Sequence, residues 1–485
     1  MHYRFSYFLL ITLIITAAIS SSCKKTKLLT TGGELKFSTD TLTFDTVFTA
    51  QGSFTNSFVI YNPQNEKIKI SSIRMASGDG SYFHLNVDGY PGKTITDIEI
   101  APHDSAFVFA TVKIDPTNEN TPFVVEDKMI ATLNGNNYEL PFTAYGQNAH
   151  YIVADTIPTQ TWLTDKPYVI IHSALVLPNA TLTIPAGCQV YMHADSRLYV
   201  AGTLKVNGTK ADSVIFQGDR IDRNYFGYEG YPGEWAGLYF FASSKNNVLQ
   251  YTIIQNCGNS NRDGGYPAAL YAEKDSTGSA AEVFLDHVTI QNSIGYGILS
   301  IGGHITAENC LVHTCGAEAL ALIQGGTYDF KNCDFVVFGN DKVSHVQEPT
   351  AAILNYLQID DTHYIGGDMN ATLTNCVIWG SLENELVCNK RDGYAYNVTL
   401  NHCLVKDGPD AIDNSVVKNG CMFNTDAGSP DPRFADYNKF DFHATPGSAM
   451  IDNGSNVTFL GLPNDLDDKP RVNNIIDIGC YEYQD

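Results

Sequence analysis

Five cysteines recur in similar short segments, and their thiols are the first groups in this sequence that could carry chemistry. They are Cys257 in TIIQNCG, Cys310 in ITAENCLV, Cys333 in YDFKNCDF, Cys376 in ATLTNCVIWGS and Cys403 in VTLNHCLV. A zinc site needs close pairs such as C-x2-C, whereas the nearest spacing here is Cys310 to Cys315. Cysteine also behaves as a small hydrophobe, and the Asn before it suits a tight turn. We therefore expect buried, reduced cysteines in a repeating core, with Ser293 in the equivalent position of one repeat; a disulfide between neighbouring repeats is the alternative.

Aromatic side chains are concentrated in Gly-rich segments that could bind a sugar. Aromatic rings pack against the apolar faces of pyranose rings, and neighbouring polar groups orient the hydroxyls. The segments are DRNYFGYEGYPGEW (222–235), NRDGGYP (261–267) and NKRDGYAY (389–396). The glycan-binding candidates are Tyr225, Tyr228, Tyr231, Arg262, Asp263, Tyr266, Arg391 and Tyr394. The alternative is that these aromatics cover the flank of the fold, as we expect for Trp235.

Charge and the N-terminus restrict the partners and the compartment. The chain has 30 Lys and Arg against 53 Asp and Glu, a net charge of −23, which disfavours binding to nucleic acid and to anionic membrane surfaces.

The apolar run FLLITLIITAAI (8–19) has the length of a signal peptide and is too short to span a bilayer. It is followed by SSSC, which resembles a bacterial lipobox with Cys23 as the lipidated residue, although Ser20 stands where Leu is usual. Ordinary signal cleavage near Ser22 is the alternative.

Two regions with different β patterns follow. Residues 34–147 contain short alternating strands, and Asn134-Gly135 predicts a hairpin. In AFVFATVKI (106–114) both faces of the predicted strand have apolar residues. Phe107 and Phe109, on the second face, are therefore also expected to be buried between layers. About 110 residues of this kind favour an immunoglobulin-like β-sandwich.

From residue 171 the chain repeats a unit of short β-runs separated by Gly, Asn or Asp. The interval is 17 residues from Asn292 to Asn309, 23 from Asn309 to Asn332 and 27 from Cys376 to Cys403. A β repeat of this length without helices predicts a parallel β-helix.

This organisation resembles the right-handed parallel β-helix proteins of the pectin-lyase-like superfamily. More narrowly, it is similar to Bacteroidota lipoproteins in which a sandwich precedes a β-helix. The similar segments are LTFDTVFTAQGSFTNSFVIYN, LNVDGYPG, GTLKVNGTKADSVIFQGDR, GEWAGLYF, GYGILSIGGHITAENC and, at the end, DPRFADYNKFDFHATPGSAMIDNG with DLDDKPRVNNIIDIGCYEY. The resemblance implies architecture and no particular activity, because the superfamily includes lyases, hydrolases, esterases and non-catalytic adhesins.

The sequence lacks the charged motifs that those enzymes use. Hydrolases of the polygalacturonase type have several clustered carboxylates, whereas here Asp360-Asp361 stands alone and His304 lacks a following Gly. A lyase needs an acidic calcium site beside an Arg or Lys base. The candidates for that are Asp219, Arg220, Asp222 and Arg223, and Lys390, Arg391 and Asp392. Both are mixed-charge loops of a kind common on solvated surfaces.

We therefore predict an all-β protein: an N-terminal immunoglobulin-like β-sandwich, then a right-handed parallel β-helix with a C-terminal cap. The expected segments are a signal peptide (1–22), a lipid-anchored tether (23–33), the sandwich (34–147), a linker and N-terminal cap of the helix (148–170), the β-helix (171–425) and the cap (426–485).

The favoured function is a non-catalytic envelope protein of the outer membrane that binds a polysaccharide or an envelope protein. The alternatives are a polysaccharide lyase or other carbohydrate-active enzyme, and a purely structural surface protein. We expect membrane attachment through lipid only, no nucleic acid and no cofactor. Calcium at Asp465, Asp467 and Asp468 of NDLDDKP is the alternative, without the Gly and final Glu of an EF-hand.

We predict that Cys23→Ala releases the protein from the membrane fraction, because lipid on this residue would be the only anchor. Fractionation and metabolic labelling with a fatty acid test this prediction. Retention of the variant in membranes with its label intact would contradict lipidation at Cys23.

Overall fold

The computed structural model describes residues 27–117, 119–221, 230–260, 265–360, 362–407, 412–456, 462–471 and 475–484. The predicted all-β class is confirmed, and the chain divides into two units between Asn148 and Ala149. Short 3-10 turns occur at Gly78–Gly80 and Tyr437–Lys439. Across these described ranges, no helix has the length and apolarity needed to cross a membrane.

The first unit is the predicted sandwich of two five-stranded sheets, ordered β1-β3-β8-β5-β6 and β2-β10-β9-β4-β7. The strands are β1 (Lys36–Phe37), β2 (Leu42–Phe48), β3 (Asn56–Tyr61), β4 (Ile68–Met75), β5 (Phe83–Val87), β6 (Tyr90–Gly92), β7 (Thr94–Ile100), β8 (Ser105–Val112), β9 (Phe123–Leu133) and β10 (Asn136–Gln147). The predicted Asn134-Gly135 turn joins β9 to β10, with positive φ at both residues. Residues 27–33, predicted as tether, lie on this unit: Leu29 N donates to Lys67 O at 2.8 Å.

One prediction for the sandwich is wrong. Strand β8 buries Ala106, Val108 and Ala110 between the sheets, as expected. Its other face is exposed, however, at 51% for Phe107 and 40% for Phe109. Strand β8 lies inside its sheet, but that sheet has a second layer on one side only, so an apolar pattern on both faces did not mean burial on both.

The second unit is a parallel β-helix, in which each strand pairs with the equivalent strand of the next coil. Its strands are β11 (His150–Ile157), β12 (Gln160–Thr161), β13 (Tyr168–Val176), β14 (Thr181–Pro185), β15 (Gln189–Met192), β16 (Arg197–Val200), β17 (Thr203–Asn207), β18 (Val214–Gly218), β19 (Gly237–Phe240), β20 (Asn247–Gln255), β21 (Ala268–Glu273), β22 (Glu282–Ser293), β23 (Tyr296–Ile301), β24 (His304–Glu308), β25 (Leu311–Cys315), β26 (Leu320–Ile323), β27 (Gly326–Lys331), β28 (Asp334–Val337), β29 (Ala351–Leu354), β30 (Tyr356–Gln358), β31 (Tyr364–Gly366), β32 (Met369–Thr374), β33 (Val377–Gly380), β34 (Leu386–Asn389), β35 (Tyr396–Asn401), β36 (Leu404–Val405), β37 (Val417–Asn419) and β38 (Met422–Phe423). Strands β30 and β31 form an antiparallel hairpin between β29 and β32.

The pairings define three faces, which we call A, B and C in chain order. Face A includes β14, β17, the first half of β20 and of β22, β24, β27, β32 and β35. Face B includes β15, β18, the second half of β20 and of β22, β25, β28, β33 and β36. Face C includes β16, β19, β21, β23, β26, β29 and β34. Inward side chains from all three faces form one continuous core.

From β20 onward, the corner between faces A and B is held by one left-handed residue per coil. Positive φ occurs at Tyr251, His287, Asn309, Asn332, Asn375, His402 and Gly420. Most L-residues resist this conformation, whereas Asn tolerates it because its short side chain can hydrogen-bond locally. Asn375 Nδ2 donates to Asn332 Oδ1 of the previous coil at 3.3 Å, so the column is linked along the axis.

A column of cysteines follows these corner residues in register. It contains Cys310, Cys333, Cys376, Cys403 and Cys421. The first four are at most 1% exposed and all are free thiols, which confirms the predicted burial. Burial raises the pKa of the Cys310 and Cys376 thiols well above the usual range.

The placement of Cys257 and Ser293 in this column was wrong, although the two residues are equivalent to each other. Ser293 instead pairs in register with Cys315 of the next coil. In the previous coil its equivalent is Cys257, because Gln255 pairs with Gln291 and each residue lies two positions further on. These residues lie at a second turn, between faces B and C. The 17-residue interval from Asn292 to Asn309 therefore joins two different turns and does not measure a coil.

The C-terminal segment (426–485), which includes β39 (Phe434–Asp436) and β40 (Asp441–Ala444), lies along the A–B corner. His287 Nε2 lies 2.9 Å from Asp465 O, and Asn309 Nδ2 donates to Asn464 O at 3.0 Å. Asn332 Nδ2 donates to Asp477 O at 3.1 Å. A second apolar core lies beneath the segment, between outward residues of face B (Leu311, Val336, Val377, Leu404) and Phe442, Met450, Leu466 and Ile478.

A buried ion pair and a buried acid hold this segment. Arg471 Nη1 lies 3.1 Å from Glu482 Oε2, and Arg471 Nη2 donates to Asn309 Oδ1 at 2.8 Å. Asp334 Oδ1 accepts the Cys480 N–H at 3.0 Å, and burial raises the pKa of Asp334 to about 7. Removing either Arg471 or Glu482 would leave the other charge buried without compensation.

We predict that Cys376→Arg destabilises the β-helix unit by at least about 4 kcal/mol, because it places an unpaired charge in the core. Asn397→Arg is the matched control, since Asn397 is exposed on face A, and it should change stability by less than about 0.5 kcal/mol. Denaturant unfolding of the two variants gives the comparison. Similar stabilities would contradict the inward position of Cys376.

Candidate functional site

The loops that lead from face B to face C include several long ones in successive coils, and we call them the loop edge. The described parts are residues 219–221, 230–236, 256–260, 265–267, 294–295, 316–319, 338–350 and 381–385. Long loops on one side of a solenoid are commonly the binding side. The loop edge is therefore the first place to look for a site.

The first loop of this edge folds along the axis of the helix. Glu234 N donates to Asn256 O at 2.9 Å and Gly233 N to Cys257 O at 2.9 Å, both in the next coil. Trp235 is fully buried, and its Nε1 donates to Gln255 O at 2.8 Å, so the predicted coil position of Trp235 is confirmed. These contacts fix the backbone that presents Tyr231.

Two predicted aromatics are exposed on the loop edge. Tyr231 is 41% exposed and Tyr266 is 43% exposed. Lys342, four coils further on, donates from Nζ to Gly230 O at 3.4 Å and lies 5.5 Å from the centroid of the Tyr231 ring. The long loop 338–350 thus reaches back to the loop that carries Tyr231, and Ile294 between them is exposed as well.

A stack of tyrosines continues from the loop edge onto the outside of face C. Tyr266 stacks on Tyr271 with centroids 5.3 Å apart, and Tyr271 lies 4.5 Å from Tyr239. Tyr199, Tyr239 and Tyr271 are register partners in three successive coils. The recurring segments RLYV, GLYF and ALYA contain this signal, which our motif search missed.

The stack is supported by charged groups at its base. The buried guanidinium of Arg197 lies 5.9 Å from the Tyr199 centroid and 5.7 Å from that of Tyr239, and its Nη2 donates to Tyr266 O at 2.9 Å. Tyr239 OH donates to Glu273 Oε2 at 2.5 Å. Burial, with Glu273 second, raises the pKa of Tyr239 well above its usual range, so the phenol stays protonated.

Two buried acidic groups lie in later loops of the loop edge. Glu385 is fully buried; its Oε2 lies 3.0 Å from His345 Nε2 and accepts the Thr350 hydroxyl at 2.8 Å, which fastens loop 338–350. Glu318 is only 7% exposed, and its Oε2 has no hydrogen-bond partner. Burial raises the pKa of Glu318 to about 7, with a smaller contribution from Glu348. Sequence reasoning missed these residues, because no local pattern distinguishes them from surface glutamates.

The predicted pair Arg391 and Tyr394 lies on the other border of face C. The Arg391 guanidinium is 5.0 Å from the Tyr356 centroid and 5.5 Å from that of Tyr364, in the β30–β31 hairpin. Tyr394 is 43% exposed and covers Gly366 of the same hairpin. This hairpin cluster and the loop edge therefore lie on opposite borders of face C.

The remaining candidates have these positions. Tyr225, Tyr228, Arg262 and Asp263 lie outside the described residues, as do Cys23, Asp222, Arg223 and Asp361. Asp219 Oδ2 lies 2.6 Å from His193 Nδ1, and Lys390 lies 3.9 Å from Asp413. Asp465 Oδ1 accepts the backbone N–H groups of Asp467 and Lys469, and Asp467 lies 2.7 Å from Lys210 Nζ. These contacts assign the NDLDDKP carboxylates to a turn.

Comparison with known proteins gives little guidance. No family model matches the chain, and no curated protein sequence matches it. One similar solved structure is a family 123 glycoside hydrolase from Clostridium perfringens, described for glycolipid glycan hydrolysis; it is 10% identical, with a TM-score of 0.17, over 24% of this chain and 26% of that one. Another is the ASH/PapD-like domain 7 of human CEP192, 10% identical with a TM-score of 0.17, over 26% of this chain and 92% of that one. The chain thus spans about a quarter of the hydrolase, and likenesses this weak carry no argument about activity.

Proposed function

We propose that this chain is a lipid-anchored cell-envelope protein that binds a glycan along the loop edge and the adjoining outside of face C. The observation that carries the proposal is the exposure of Tyr231 and Tyr266 on loops fixed by hydrogen bonds to neighbouring coils. Exposed aromatics gathered in one place usually have a use in binding.

The stiffness of this surface supports binding of an extended, flexible ligand. Tyr266 is stacked on Tyr271, and Tyr231 lies beside Lys342, so these rings have little conformational freedom to lose. Rigid aromatics supply contact area at low entropic cost, and nearby polar groups orient the ligand. An extended glycan would contact both tyrosines at once, because Tyr231 and Tyr266 lie on loops of successive coils and the coils of a β-helix are stacked about 4.8 Å apart.

The rest of the chain would hold this surface at the envelope. Lipid on Cys23 would anchor the protein at the outer membrane. Binding without catalysis is the favoured form, because two of the charged groups predicted for a lyase already have partners: Asp219 lies 2.6 Å from His193, and Lys390 lies 3.9 Å from Asp413.

We predict that Tyr231→Ala and Tyr266→Ala together weaken glycan binding at least tenfold, about 1.4 kcal/mol, with little change in melting temperature. The test is an array of plant, bacterial and host polysaccharides probed with the unlipidated Cys23→Ala chain. Tyr90→Ala is the matched control, because Tyr90 is an exposed tyrosine of the sandwich.

Two outcomes would contradict the proposal. One is the absence of binding to every polysaccharide on the array. The other is a large fall in melting temperature of the double variant, which would make these tyrosines packing residues of the coil.

A further inference from the structure

The hairpin cluster contains an exposed arginine whose donors are not used by the described part of the chain. The Arg391 guanidinium lies between two rings, 5.0 Å from the Tyr356 centroid and 5.5 Å from that of Tyr364. Among the described residues, Arg391 makes hydrogen bonds through its backbone alone, and its guanidinium is in no ion pair. A guanidinium has five N–H donors and no acceptor, so this side chain can still donate several hydrogen bonds.

The backbone that carries this guanidinium is fixed by the preceding coil. Asn355, which is fully buried, accepts the Arg391 N–H at Oδ1 over 2.7 Å and donates from Nδ2 to Arg391 O at 3.0 Å. Asn355 O also accepts the N–H of Gly367 at 2.9 Å, directly after the hairpin. One buried amide thus joins the hairpin to the loop that covers it. A guanidinium stacked on two rings and pinned in this way has little freedom to lose on binding.

The other groups that a sugar requires are exposed beside Arg391. Tyr364 is 42% exposed and Tyr394 is 43% exposed, and the Tyr394 ring is held against Gly366 of the hairpin. Asp392, the next residue along the chain, is exposed as well. Aromatic rings pack against the apolar face of a pyranose, while a few polar groups fix its hydroxyls. The hairpin cluster and Asp392 therefore combine aromatic surface, hydrogen-bond donors and an acceptor, all accessible from outside the coil.

This surface is separate from the loop edge. Tyr266 directly precedes β21, whereas the hairpin follows β29, three coils further along the axis. Three coils correspond to about 14 Å, and the two places lie on opposite borders of face C. A single sugar ring cannot contact both.

We propose that the hairpin cluster is a second glycan-binding site, in which Arg391 donates to one hydroxyl of a sugar and Asp392 accepts from an adjacent one. A hydroxyl both donates and accepts, so adjacent hydroxyls use both residues, whereas a carboxylate ligand would use Arg391 alone. This inference goes beyond the proposed function, because the hairpin cluster can bind whether or not the loop edge does.

The first experiment is titration calorimetry of the unlipidated Cys23→Ala chain with xylohexaose, mannohexaose and cellohexaose. We expect at least one of them to bind, and Arg391→Lys to weaken that binding about tenfold, because lysine keeps the charge and loses the planar donor set. Arg433→Lys is the matched control, since Arg433 is an exposed arginine of the C-terminal segment, and it should leave the affinity unchanged. Unchanged affinity in Arg391→Lys would overturn the proposal.

Asp392→Asn tests whether the ligand is bound through its hydroxyls. The substitution exchanges a charged acceptor for a neutral one, so a hydroxyl that donates to Asp392 should bind at least about threefold more weakly. A ligand recognised through a negative charge should instead bind more tightly, because a neighbouring like charge has been removed. Tighter binding of the hexasaccharide or of any polysaccharide on the array would overturn the assignment to hydroxyls.

Melting temperature distinguishes a binding role from a packing role. Arg391→Lys and Asp392→Asn should both melt within about 2 °C of the parent chain, as expected for exposed side chains of a large unit. A large fall in the melting temperature of Arg391→Lys would make Arg391 a packing residue of the hairpin and would overturn its place in a site.

The outcomes separate this inference from the proposed function. If Tyr231→Ala with Tyr266→Ala abolishes binding and Arg391→Lys does not affect it, the second site fails and the loop edge stands. If Arg391→Lys weakens binding and the double tyrosine variant does not, the loop edge fails and the second site stands. If no hexasaccharide binds and the polysaccharide array is also negative, both fail.

Discussion

The structure of the second unit depends on one constraint: every coil must turn from face A to face B in the same register. A single left-handed residue makes this turn, and where it is Asn309, Asn332 or Asn375 the side chain hydrogen-bonds outside its own coil. From β20 onward this turn has the same length in each coil, so the next residue points inward each time, whereas residues 208–213 form a longer connection between β17 and β18. The cysteine column at Cys310, Cys333 and Cys376 is a consequence of that register, since the slot accepts a small apolar side chain. The thiols are structural, and the chemistry of the molecule lies elsewhere.

The same corner also explains the C-terminal segment. Corner side chains direct their free donors outward, and the segment satisfies them with backbone oxygens, as Asp477 O does for Asn332. In the described part of the segment, Phe442 and Ile478 make the outside of face B a second core. One flank of the rod is therefore closed by the chain itself. At the border between faces B and C, the loop edge exposes Tyr231 and Tyr266 for a partner.

Much of this architecture could be predicted from sequence, because it repeats. Coil-length spacing revealed the β-helix, and Asn134-Gly135 revealed the β9–β10 hairpin of the sandwich. Features that depend on contacts between distant residues could not be predicted: Phe107 lies on an open face although its strand is apolar on both sides, and Ser293 belongs to a turn that resembles the Asn corner only locally. The same distinction between local signals and tertiary contacts applies to the candidate site. Exposed tyrosines of Gly-rich loops were found, whereas the buried Glu318 and the Glu385–His345 pair depend on tertiary packing.

Glycan recognition at the loop edge is the central claim, and hydrogen–deuterium exchange tests it most directly. The unlipidated chain would be measured with and without the polysaccharide that binds most tightly on the array. The account predicts slower exchange in residues 230–236, 265–267 and 338–350, and unchanged exchange at the Asn corner around Asn375. Protection confined to the sandwich or to the C-terminal segment, with no change in those three loops, would contradict it.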